Sequence, residues 1–299
     1  MNIAALLPRV RTPHKTGRLL VAPSYRKGSF DSHAVDCPFP FRHEGRFWMT
    51  FIGWDGTGYQ TGLATSEDLL SWRKEGLLLG RGPRGSVTEF NVAMTNILRD
   101  NALHGSGTLR QVTGRYVATY HAYPRPGYEA GPAVIGLCTS ADLRHWEVGE
   151  PILRPDPACA WESGGLYKAW LLESDGVYYL FYNAKNRAEW PWIEQTGVAL
   201  SRDLVHWERH AGNPVLPVNP ENHWEKGAIA VPRVIRDEGV WRVWYCCYPQ
   251  NDTYAIGCAE SADGIQWLRS PHNPVLQPAG GNAWDSGTTG YPGVIRVGD

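Results

Sequence analysis

The phrase Ser-x-Asp-x-x-x-Trp occurs four times, at Ser66–Trp72, Ser140–Trp146, Ser201–Trp207 and Ser261–Trp267, with the serines 74, 61 and 60 residues apart. Recurrence at this period means that one supersecondary unit has been copied, and that each copy buries its apolar face against its neighbours. Each phrase is flanked by the same kinds of segment. An aromatic run precedes it (Arg46–Ile52, Arg115–Tyr120, Val177–Tyr182, Val240–Tyr245), and three of these runs begin at turn signals, Glu44-Gly45, Asp175-Gly176 and Glu238-Gly239. A short strand lies ahead of the turn, as in Pro232–Arg236 and Pro292–Arg296. A third strand runs into the phrase (Thr61–Thr65, Val134–Thr139, Gly197–Leu200, Ala255–Ala259), and a fourth follows it (Leu77–Leu79, Pro151–Leu153, Pro214–Leu216, Pro274–Leu276).

Four antiparallel strands per unit of about 60 residues is the pattern of a propeller blade. Within the phrase, Ser and Asp suit a turn tied by side-chain-to-backbone hydrogen bonds, and Trp suits packing between blades. Leu20–Ala22 stands ten residues before Phe30, as the fourth-strand prolines Pro151, Pro214 and Pro274 stand ten before Trp161, Trp224 and Trp284. The chain therefore opens on an outer strand and closes, at Val294–Val297, on an inner one, and both fit one closing blade. The expected fold is all-β: a single five-bladed β-propeller domain over 1–299, with its last blade incomplete and the N-terminal strand closing it. The blades fall at about 25–80, 81–155, 156–218 and 219–278, with a partial one at 279–299 plus 18–24, and roughly 30 to 40 further residues would complete it.

Composition narrows the function. With 29 basic and 30 acidic residues, the balanced charge points to no nucleic-acid or membrane partner. No apolar run approaches the ~20 residues of a spanning helix, and Met1–Arg11 is too short in apolar residues for a signal peptide. The six cysteines show no CxxC or Cys/His metal spacing. Reduced thiols in a cytoplasmic protein, without a metal or other cofactor, is the expectation.

The chemistry lies ahead of the inner strands, in Phe30-Asp31, Trp161-Glu162, Trp224-Glu225 and Trp284-Asp285; the second unit reads Thr88-Glu89-Phe90-Asn91 instead. Inner strands around an axis would bring these acids towards one funnel, the arrangement glycoside hydrolysis needs. Equally, an acid repeated in every blade fits a structural role at the blade's opening turn. Asp36 differs, because Tyr167, Ala230 and Gly290 fill its slot in other units. His121 and Asn183 follow the aromatic strands as candidate substrate contacts. Trp54, Tyr59, Trp190 and Trp192 offer flat faces for sugar rings or for packing.

The four Ser…Trp phrases, the Pro-Val/Ile-Leu strands after them and the opening Asp36-Cys-Pro…Gly45-Arg-Phe-Trp resemble the five-bladed propeller glycosidases over essentially the whole chain. The resemblance is to family 43 arabinofuranosidases and xylosidases, with family 32 and 68 fructosidases and family 130 mannoside phosphorylases as relatives. The fructosidase signatures Asn-Asp-Pro-Asn-Gly and Arg-Asp-Pro are absent. The resemblance implies an inverting glycoside hydrolase acting on a furanosidic or pentose-containing oligosaccharide. It makes Asp36 the base and Glu162 the general acid. Glu225, Asp31 and Asp285 would tune acidity or hold hydroxyls, with Glu89, Asn91, His121, Asn183, Trp54 and Trp190 as substrate contacts. Related propellers hold calcium on the axis, so a structural calcium is the one ion the resemblance admits, although no ligand set requires it. The rivals are a family-130-like phosphorylase, for which Lys168 and Arg233 are the candidate phosphate holders, and a non-catalytic carbohydrate-binding propeller.

Overall fold

A computed structural model of the chain describes residues 14–100, 102, 107–237, 239–248 and 253–297. The expectation for Met1–Arg11 lies outside the described residues. The chain folds into successive antiparallel units. The first is β1 (Ala34–His43), β2 (Arg46–Trp54), β3 (Tyr59–Ser66) and β4 (Arg73–Leu79), paired in that order. In the second, β5 (Ala93–Ile97) pairs with β7 (Arg115–Ala122), followed by β8 (Val134–Ser140) and β9 (Glu147–Leu153), with the two-residue β6 (Gln111–Val112) also on β7. The third holds β10 (Gly165–Ser174), β11 (Val177–Lys185), β12 (Glu194–Ser201) and β13 (Glu208–Arg209). The fourth holds β14 (Ala228–Asp237), β15 (Val240–Tyr248), β16 (Ala255–Ser261) and β17 (Leu268–Arg269).

The hairpins follow the expected chemistry. Glu44 and Gly45 (φ 50° and 79°) and Asp175 and Gly176 (φ 55° and 73°) are both left-handed, as a two-residue type I′ turn requires. In each Ser…Trp phrase the serine Oγ accepts from two backbone N–H groups, as Ser201 does from Asp203 and Leu204 at 3.2 and 2.9 Å. The aspartate accepts two more, as Asp203 does from Val205 and His206 at 2.9 and 2.8 Å. Trp267 of the fourth unit meets Phe181 of the third edge-on at 6.0 Å, so the phrase also packs neighbouring units together. Ser201→Ala removes the one acceptor of two backbone N–H groups in this turn and is expected to cost about 1 kcal/mol, measurable as a lower urea midpoint.

Each third strand carries a glycine beneath an aromatic ring. A Cβ on Gly197 would lie 2.5 Å from Trp161 Cη2 and 3.0 Å from Tyr182 Cζ. Gly62, Gly136 and Gly257 lie in the same way under Phe51, Tyr120 and Tyr245. Gly197→Ala is therefore expected to destabilise by about 1–3 kcal/mol through overpacking, read by thermal or denaturant unfolding.

The outer strands expected at Pro214–Leu216 and Pro274–Leu276 are reduced to single bridges, Thr196↔Leu216 and Ile256↔Leu276. Just ahead of them, Asn213 and Asn273 accept from the backbone of Val198 and Cys258, each at 2.9 Å, so a side chain supplies the rung that the backbone does not. The inner strand expected at the C-terminal end is not a ladder strand. Residues 289–294 instead hang on the fourth unit and on buried arginines: Tyr291 N donates to Cys246 Sγ at 2.8 Å, Arg233 Nε to the Pro292 carbonyl at 3.0 Å, and Arg99 Nη2 to that of Val294 at 2.7 Å.

Candidate active site

The inner strands β1, β10 and β14 share one irregularity. Their registers slip between Asp36 and Phe39, Tyr167 and Trp170, and Ala230 and Arg233. At each slip one residue is left-handed: Cys37, Lys168 and Val231, with φ of 48°, 49° and 54°. Tyr291 repeats the conformation at 54° in the C-terminal segment. Such bulges re-aim side chains, and here they turn inner-strand residues towards one cluster.

The cluster contains Asp36 and two acids that the repeat pattern alone did not single out. Glu129 belongs to the connection between β7 and β8 and is itself left-handed, at φ 46°. It is buried, bonded to Lys185 Nζ, and 3.6 Å from Lys168 Nζ. Glu194, at the start of β12, accepts from Asn183 Nδ2 at 2.9 Å, Trp192 Nε1 at 2.7 Å and the Tyr248 hydroxyl at 3.1 Å. Asp36 is half-buried, and its Oδ1 has no hydrogen-bond partner among the described residues.

Electrostatics separate the acids. Burial pushes the Asp36 carboxyl above the usual aspartate range, opposed chiefly by Lys168. Burial works on Glu129 in the same sense, but the ammonium groups of Lys185 and Lys168 outweigh it and hold the carboxyl below the usual range. His121 is buried beside them and its pKa is pushed down to about 3, by burial first and by Lys168 second, so the imidazole is neutral near pH 7.

The repeated acids lie elsewhere, each tied to a basic residue. Asp31 pairs with Lys74 of β4 at 2.5 Å, Glu162 with Arg209 of β13 at 2.9 Å and Glu225 with Arg269 of β17 at 2.8 Å, all three cations standing on outer strands. Asp285 pairs with Lys15 at 2.6 Å in the same manner. Glu162 and Glu225 are fully buried and also accept from the hydroxyls of Tyr182 and Tyr245. Glu89 accepts from the Gly85 N–H in its own loop; Val148 takes the position two after the unit's Trp that holds Lys74, Arg209 or Arg269 elsewhere.

The other expected contacts divide. Asn183 positions Glu194 and also accepts from Val231 N at 2.8 Å. His121 accepts from Lys168 N at 3.4 Å, whereas Asn91 is spent on the backbone of Tyr123. Trp54 packs on Tyr59 at 4.9 Å, and Trp190 stands 48% exposed against Trp192. Beneath the cluster the Arg99 guanidinium covers both Phe39 and Trp170, and Arg233 lies over Trp170.

A signal for Glu194 and Lys185 is present in the sequence. Trp54 faces Tyr59 across β2 and β3, and Lys185 faces Glu194 at the same place across β11 and β12. The fourth unit has Tyr248 and Tyr254 there, with rings 4.5 Å apart. Charged residues thus take, in the third unit, the slot that holds an aromatic pair in the first and fourth.

With this geometry in place, the comparisons with known proteins are specific. Residues 106–285 match the Glycosyl hydrolases family 32 N-terminal domain. The chain belongs to that family. It is 28% identical to the uncharacterized protein Rv1502 of Mycobacterium tuberculosis over 296 residues, covering 94% of this chain and 90% of that protein. It is 25% identical to a 1,2-beta-oligomannan phosphorylase of Thermoanaerobacter sp. over 126 residues, 40% of this chain and 42% of the relative. Among solved structures, a complex of BT0996 with RGII superposes with a TM-score of 0.83 at 28% identity, covering 98% of this chain and 87% of the other. The resemblance to the propeller glycosidases therefore holds, and the family matched is 32, one of the relatives within it. The fold is an all-β glycoside hydrolase propeller.

Proposed function

We propose that this family 32 chain hydrolyses a glycosidic bond at the Asp36–Glu129–Glu194 cluster. The observation that carries the reading is the convergence of three acids, each present in one unit only, with burial holding the proton on Asp36 and two lysines drawing it from Glu129. Asp36, held towards its protonated form, donates a proton to the leaving oxygen. Glu194, oriented by three donors, is the carboxylate base that takes a proton from the water attacking the anomeric carbon. Glu129, ionised between two lysines, stabilises the positive charge that develops on the ring. The roles expected for Asp36 and Glu162 are thus exchanged for a donor at Asp36 and a carboxylate at Glu194, while Glu162, Glu225, Asp31 and Asp285 hold the scaffold.

The substrate in this reading is a furanosidic or pentose-containing oligosaccharide, supported by the resemblance; the solved RGII complex of a similar protein supports a carbohydrate ligand. Inversion is the stereochemical expectation, tested by NMR of the first-formed anomer. The ring has five blades in this reading. Lys15 stands to Asp285 as Arg269 stands to Glu225, and Tyr291 repeats the inner-strand bulge, so residues 14–22 and 290–297 take the outer and inner places of a fifth blade.

A screen of aryl glycosides and oligosaccharides, run with and without inorganic phosphate, tests the reading. Release of free sugar independent of phosphate is expected. The adjacent Lys168 and Lys185 favour one alternative, phosphorolysis, and strict phosphate dependence with formation of a sugar 1-phosphate would establish it in place of hydrolysis.

A further inference from the structure

Lys168 occupies the left-handed bulge of β10, where the corresponding residues are Cys37, Val231 and Tyr291. A lysine in that conformation is strained, and the strain is borne at a buried position (7% exposed) beside two acids. Its ammonium lies 3.6 Å from Glu129 and donates to the Tyr291 hydroxyl at 3.2 Å. It also sits 4.5 Å from the Tyr291 ring centre and 5.3 Å from that of Tyr167. Lys168 is the cation acting most strongly on Asp36. The C-terminal segment thus reaches the site through a tyrosine that holds this lysine.

We propose that Lys168 is a positioning residue: its ammonium holds the Asp36 and Glu129 carboxyls as a working pair, and Tyr291 of the C-terminal segment holds the ammonium. The proposal rests on the hydrolase reading for its purpose, but not for its test. The charged and titratable groups around Lys168 are Glu129 on the β7–β8 connection, Lys185 on β11, Asp36 and Cys37 on β1, His121 on β7, Arg233 on β14, Glu194 on β12, Cys246 on β15, and the phenols of Tyr59, Tyr123, Tyr128, Tyr167, Tyr254 and Tyr291. Of the cations, only Lys168 and Lys185 pair with Glu129 among the described residues.

The test is a ¹³C-carboxyl NMR titration of the wild-type chain, Lys168→Met, Lys168→Arg and Tyr291→Phe, with the resonances assigned through Asp36→Asn and Glu129→Gln. Methionine keeps the length of the buried side chain and removes its charge. In Lys168→Met both midpoints are expected to rise, that of Glu129 by about 1 pH unit or more. Arginine restores most of the shift, and Tyr291→Phe moves both midpoints in the same direction by less. Unchanged midpoints in folded Lys168→Met would overturn the proposal. Where a glycoside substrate is turned over, the pH optimum of kcat/KM moves upward in Lys168→Met, and an unmoved profile would also overturn it. Shifted midpoints in a protein that hydrolyses no glycoside would uphold the positioning role while removing the hydrolase reading.

Discussion

Glu194→Gln is expected to lower kcat on the cognate glycoside by about 10³-fold or more, measured per folded molecule. The amide preserves the shape of the side chain but cannot act as a base or nucleophile. Asp36→Asn falls comparably on substrates with poor leaving groups, yet keeps most of its activity on a dinitrophenyl glycoside, which needs no protonation. This contrast identifies the proton donor. If Glu129→Gln, rather than Asp36→Asn, keeps activity on the activated substrate, the donor is Glu129. The pH profile carries the same information. Because burial raises the pKa of Asp36, its proton is retained to higher pH than that of an exposed aspartate, and activity is lost on the alkaline side as that proton leaves.

The second large effect is on stability. Arg209→Met leaves the fully buried Glu162 carboxylate without its cation, and is expected to destabilise the chain by about 3 kcal/mol. Arg269→Met does the same for Glu225. Both variants should keep wild-type kcat per folded molecule, measured below the unfolding transition. Lost turnover in a fully folded Arg209→Met would return Glu162 to the chemistry.

The repeat is legible in the sequence because each Ser and Asp of the copied phrase satisfies backbone groups locally, so the pattern needs no tertiary context. Asp36 stands out against that repeat, and Glu194 stands out by the same test once the aromatic slot of Trp54 and Tyr59 is aligned with Lys185 and Glu194. In the proposed reading Glu162 and Glu225 serve the scaffold, a role that a repeated acid near an inner strand does not by itself reveal. The signal for that role is the basic residue two positions after the Trp, Arg209 or Arg269, which pairs with the acid of its unit. Glu129 has no counterpart in another unit. Its place follows from a loop conformation and from lysines on β10 and β11, contacts that no local pattern records.

In this reading the single-copy acids, and not the repeated ones, do the chemistry. The most direct test is a crystal structure of Glu194→Gln bound to an oligosaccharide that the wild-type enzyme cleaves. The glycosidic oxygen is expected within hydrogen-bond reach of Asp36, about 2.6–3.2 Å, with the anomeric carbon facing residue 194. A scissile bond seated against Glu162 or Glu225 instead, away from Asp36 and Glu129, would contradict it.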